Sequence, residues 1–199
     1  MAVPEYTLNH RLHVLRVPRA LVLASAAALA LAAAPAPSPA TRLHAALAGN
    51  WQGSLRYRDY QDSTRFVTLP TLLTGALAAD SASVVLDFTY DDGPGKTVRD
   101  RDVFDLDATA KVVRWGSAKY DAKRSRFAVT DRSGDGAAAS PLRFVLEMDA
   151  KDDNKPAHIR ETLTVSAAEL RVLKEVRFSP SAPYLFRHEY RFTRPATGN

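Results

Sequence analysis

The sequence contains no cysteine, which excludes disulfides, thiolate metal sites and lipid attachment through a leader cysteine. Stability must then come from packing and backbone pairing alone. It also has no run of five or more like charges, and so lacks the concentrated basic face that nucleic-acid binding requires. The longest charge-free apolar stretch, 20–34, is shorter than the roughly 20 residues a membrane helix needs. No nucleophile elbow, phosphate loop or dinucleotide fingerprint is present. The five histidines are scattered, without zinc-ligand spacing.

What is present is ordinary for a folded chain: 199 residues, 46% hydrophobic and 25% charged, enough for one sizeable core. The formal net charge of +5 is inflated by the first forty residues, where Arg11, Arg16 and Arg19 outnumber Glu5. Those arginines precede "ALVLASAAALALAAA" and then "PAPSPA". A basic segment, a short apolar core and small residues in that order predict a secretory signal. Ser38 and Ala40 fit the two positions read by a signal peptidase, so residues 1–40 are expected to be removed. The remaining 41–199 would form a single domain in the periplasm or outside the cell, with no membrane span.

After a possible one or two helical turns in "TRLHAALAG", alternation of apolar and polar residues dominates. It predicts strands at 50–60, 64–74, 83–90, 96–106, 111–119, 124–131, 141–148, 157–166, 169–178 and 184–194. Separators such as "QDS", "DDGPG", "DATA" and "SPSAP" carry turn chemistry. Short connections between successive strands favour an antiparallel meander. The fold class expected is all-β, an up-and-down barrel of eight to ten strands, since closure removes aggregation-prone edges. A two-sheet sandwich is the alternative.

Alternation also assigns faces. Trp51, Gly53, Leu55 and Tyr57 share one side of the first strand; Tyr184, Phe186, His188, Tyr190 and Phe192 share one side of the last. The fourth strand, "KTVRDRDVFDL", places two charges on either face and resolves neither. A two-residue turn at Ala167-Ala168 puts Glu161 opposite Lys174, and the following turn puts Lys174 opposite His188. These three would form a polar row on an otherwise apolar face, with cross-strand neighbours about 5 Å apart. Buried charges are costly unless paired. The row therefore predicts either a polar anchor for a ligand, with Lys174 as counter-ion to a carboxylate, or a structural ion pair beside a core histidine. Tyr57 and Tyr190 would join Glu161, Lys174 and His188 in lining the ligand site. The acidic turns "DRSGDG" and "DAKDDNKP" resemble calcium loops only in part and are read as hairpin connections.

Gly49-x-Trp51 at the head of the first strand resembles the signature of the calycin superfamily, which includes lipocalins, fatty-acid-binding proteins and avidins. The resemblance implies that Trp51 closes the barrel floor and that an arginine from the final strand packs across it. Arg187, Arg191 and Arg194 are available, and Arg194 has the inward parity. Gly49-x-Trp51-x-Gly53 is also similar to the opening of nitrobindin-like ten-stranded barrels, which hold haem through a histidine near the C-terminus; His188 is the residue in question. The chain departs from these families in places. There is no helical lid between the first two strands, no threonine-aspartate-tyrosine turn, and Leu55 stands where nitrobindins carry glycine. The function expected is non-covalent binding of a small apolar or amphipathic ligand by an exported monomer, with no cofactor and no nucleic-acid partner. The alternatives are a haem protein using His188 and a sealed structural or interaction module of the cell envelope.

Overall fold

Ser38 begins the first element. The computed structural model describes residues 36–59, 62, 64–79 and 81–195; the apolar part of the expected signal lies outside them. Helix α1 (Pro39–Leu47) starts where the Ser38 side chain accepts the Thr41 N–H at 3.1 Å. Proline follows in the first turn, where its missing N–H leaves nothing unpaired. The helix thus opens before the predicted "TRLHAALAG". Leu43, His44 and Leu47 are buried on one face, and His44 Nε2 accepts the Leu106 N–H at 3.2 Å.

Ten strands follow: β1 (Gly49–Arg58), β2 (Phe66–Leu77), β3 (Val84–Asp91), β4 (Thr97–Leu106), β5 (Val112–Ser117), β6 (Arg124–Ser133), β7 (Leu142–Asp152), β8 (Lys155–Val165), β9 (Glu169–Arg177) and β10 (Leu185–Thr193). Each pairs antiparallel with its successor, and β10 pairs with β1, giving a closed up-and-down barrel. The sandwich alternative is excluded by that closure. The two halves of the barrel interior differ. Near α1 it is filled by Leu47, Trp51, Val84, Leu106, Val165 and Phe192, all buried, while polar side chains gather toward the opposite end.

Two elements depart from the expected strands. The segment 149–156, read as a loop, continues the ladder instead: Asp152 pairs with Lys155. Asp153 and Asn154 form the turn at φ 51° and 59°, the left-handed region that Asp and Asn tolerate. Their polarity marked the tip of a hairpin rather than the end of pairing. In β10 the register shifts between Phe186 and His188. This bulge overturns the expectation that Tyr184 and Phe186 share a face with His188. Phe186 lies opposite Glu175 and packs edge-on against Phe66 at 5.5 Å, with the Arg56 guanidinium nearby. Tyr184 sits under the Arg160 guanidinium at 3.6 Å.

Candidate functional site

The floor is built first. Trp51 is buried, and its Nε1 donates to the Leu47 carbonyl at 3.0 Å, tying β1 to the last turn of α1. The Arg194 guanidinium lies over the Trp51 ring, 3.6 Å from its centroid, and its Nη2 donates to the Ala46 carbonyl at 3.0 Å. Gly49 (φ 100°) passes directly beneath that guanidinium, where a Cβ would collide with Nη1. Gly53 crosses β10 so closely that a Cβ would strike the Arg191 carbonyl. Gly49, Trp51 and Arg194 therefore meet at the closed end. Arg191 and Arg187 do not: Arg191 binds Glu189 outside, and Arg187, the bulge residue, forms an ion pair with Asp152.

Above the floor, Glu161 is opposite Lys174 and Lys174 is opposite His188. The row expected from hairpin register exists. All three line a cavity of ≈ 160 Å³ together with Asp102, Trp115 and Tyr190; Phe88, Phe127 and Met148 supply apolar wall. Tyr57 stands opposite His188 on β1, half-buried, but does not line this cavity. Tyr190 does, and its hydroxyl is 2.9 Å from that of Tyr90.

Asp102 was not anticipated. In β4 the alternation of charges hid its direction, and only the pairing of Val84 with Phe104 and Leu86 with Asp102 fixes it. Phe104 and Leu106 are buried, so the same parity carries Asp102 inward. The signal available was that Phe104 and Leu106 are the only apolar pair at spacing two in that strand. Trp115 Nε1 donates to Asp102 Oδ2 at 3.1 Å.

Burial governs the electrostatics. Loss of water raises the Glu161 carboxyl to about 7, against the opposing pull of the Lys174 ammonium and with a further push from Asp102. Asp102 rises to about 6 for the same reason, reinforced by Asp100 and moderated by the Trp115 hydrogen bond and Arg124. His188 falls to about 3, from desolvation first and the Lys174 charge second, so its imidazole is neutral. Tyr90 is pushed up to about 12 by burial and Tyr190 higher still; both hydroxyls keep their protons. Glu161 is 8% exposed, and its carboxyl stands close enough to Lys174 to feel the charge of the ammonium. These groups face the cavity.

Chemically, the arrangement presents a cation, a neutral imidazole and two carboxyls that titrate near neutrality, ringed by aromatic walls. It can hold a small molecule by its polar end while covering its apolar body. A haem does not fit the space beside His188, whose volume of ≈ 160 Å³ is about the size that admits a benzene ring. Among the described residues, no group of His, Asp and Glu side chains is arranged to hold a metal ion, and no helix is long and apolar enough to cross a membrane. No protein-family model matches the chain, and no curated protein is significantly similar to it.

Proposed function

We propose that this barrel is an exported binding protein that holds a compact amphipathic molecule non-covalently in its lumen. The observation that carries this reading is the row Glu161–Lys174–His188, turned into an aromatic-walled cavity together with Asp102. Glu161 and Lys174 face each other as opposite charges, yet they stand on a cavity wall that also holds Asp102, and perturbed titratable groups in a cavity mark a candidate site. Retaining them at the cavity wall supports a role outside folding.

The cavity volume, ≈ 160 Å³, narrows the ligand. Sites for drug-sized molecules are roughly 300–1,000 Å³, so the space here suits one ring better than a long acyl chain. Export is supported by the basic-apolar-small order of the leader. A calycin-like relationship is supported by the ten-stranded closure and by Gly49, Trp51 and Arg194 at the floor.

Native mass spectrometry of the full protein purified from its host tests the reading. A co-purifying adduct of small mass that dissociates on denaturation is expected. A clean protein mass, together with no binding of single-ring aromatic probes, would leave the barrel a sealed module.

A further inference from the structure

We propose that the ligand is a compact organic acid whose carboxylate seats on Lys174 between Glu161 and Asp102, entering the barrel together with a proton. This rests on the lumenal binding site argued above.

The charge inventory around the cavity leads to it. Glu161 on β8 is faced by Lys174 on β9, by His188 and Tyr190 on β10 and by Asp102 on β4, and the Tyr190 hydroxyl is hydrogen-bonded to that of Tyr90 on β3. Its β7 neighbour is Leu146, which is apolar. Asp102 is in turn influenced by Asp100 and Arg124. The cavity wall thus holds one ammonium and two carboxyls. An entering carboxylate adds a third anionic group against one cation in a space with little water. Charge left unpaired there is strongly unfavourable, so one of the resident carboxyls must take a proton from solvent as the ligand binds. The bookkeeping is simple: ligand anion plus one proton enter, no covalent bond to the ligand forms or breaks, and the proton resides on Glu161 or Asp102.

Geometry makes that exchange productive. A protonated carboxyl becomes an O–H donor, aimed into the same cavity as the Lys174 ammonium and the neutral His188 ring. Three donors then converge where the ligand oxygens would lie, and hydrogen bonds to an ionised acceptor are the stronger kind. Burial has already raised both carboxyls toward neutral pH, so the proton is readily accepted. A cationic ligand finds the opposite situation below about pH 6, where both carboxyls carry protons and Lys174 is the charge it meets. It would have to sit beside Lys174, which β9 holds inward opposite Glu161 and His188.

The test uses three probes of one size: benzoate, benzyl alcohol and benzylamine, titrated calorimetrically into the full protein at pH 6 and pH 8, each in two buffers of different ionisation enthalpy. Benzoate stays ionised throughout that range. It is expected to bind about tenfold more tightly at pH 6 than at pH 8, with net proton uptake seen as a buffer-dependent heat. Glu161→Gln should reduce the pH dependence, and Lys174→Met should lose benzoate while keeping benzyl alcohol. Benzoate binding with no pH dependence, proton release, or a preference for benzylamine would overturn the proposal. Benzyl alcohol binding without benzoate would also overturn it, yet leave the lumenal binding reading standing. Failure of all three probes at both pH values would remove both.

Discussion

Arg194 covers Trp51 at 3.6 Å from the ring centroid, and with α1 the two residues close one end of the barrel. The contact joins the start of β1 to the end of β10, the two strands whose pairing completes the sheet. Trp51 brings a large buried surface, a hydrogen bond to Leu47 and a face for the cation. Trp51→Ala is expected to cost about 3–5 kcal/mol, the range for removing a buried aromatic. Arg194→Ala removes a cation–π contact of roughly 0.5–2 kcal/mol and the hydrogen bond to Ala46, and should cost less. Urea melts measure both. A Trp51→Ala protein within about 1 kcal/mol of the parent would show that the floor is not a stability element.

Gly53 gives a sharper steric test. Its missing Cβ is what lets β1 lie against the Arg191 carbonyl and the Phe192 Cα, backbone atoms that cannot swing aside. Gly53→Ala should therefore destabilise by about 1–3 kcal/mol, as overpacking does. Gly93 provides the contrast, because its φ is positive at 104°, unlike that of Gly53, and nothing lies within 4 Å of its Cβ position. Gly93→Ala should cost only the conformational strain, about 1 kcal/mol. A Gly53→Ala protein as stable as the parent would mean that the close approach of β1 and β10 has no energetic consequence.

How far the sequence could be read is set by the nature of each signal. Strand positions and the register across β8 and β9 were legible because Ala167-Ala168 sits between two long alternating runs, and period two leaves little freedom once a two-residue turn is fixed. Glu161 and Lys174 fall opposite each other for that reason alone. Asp102 was hidden because β4 carries charges on both faces, so alternation has no contrast; its direction is imposed by neighbours, through the pairing with β3. The bulge at Arg187 was also invisible. No glycine or proline marks it, and what holds it is the distant carboxylate of Asp152, at the end of a hairpin whose length depends on Asp153 and Asn154. Cavity size follows from packing of many side chains and has no local signature.

The start of α1 makes a prediction about processing. Ser38 caps the helix and Ala40 is part of the core, whereas cleavage after Ala40 would remove both. Ser38→Ala should cost about 1 kcal/mol, as loss of a helix cap does. If the chain is exported as proposed, the mature protein is expected to retain Ser38, with cleavage further upstream, for example after Ala30-Leu31-Ala32, where small residues occupy the same two positions and no proline follows directly. The intact mass of the exported chain decides this. A mature protein beginning at Thr41 would mean that the cap and first turn are dispensable.

Glu161 ties stability to pH with a sign that can be worked out. Its carboxyl is raised in the folded protein, to about 7 from an ordinary 4.5. Between those values the folded state holds more protons than the unfolded one, so Glu161's contribution falls as pH rises through that window. It is most favourable below about pH 4.5 and is lost by about pH 8. His188 acts in reverse, since its pKa is depressed to about 3; its contribution rises with pH from about 3 to 6.5. The two oppose each other in acid, so the wild-type profile alone cannot isolate either. Glu161→Gln can, because the difference between variant and parent contains the Glu161 titration and its coupling to Lys174 and Asp102, while the His188 desolvation cancels. Relative to the parent, Glu161→Gln should gain stability on going from pH 4.5 to pH 8, by on the order of 2–3 kcal/mol. Paired urea melts at the two pH values measure the change. A difference that is flat with pH would mean that Glu161 titrates alike in the folded and unfolded chains, and that the cavity is open enough to water to leave its carboxyl unperturbed.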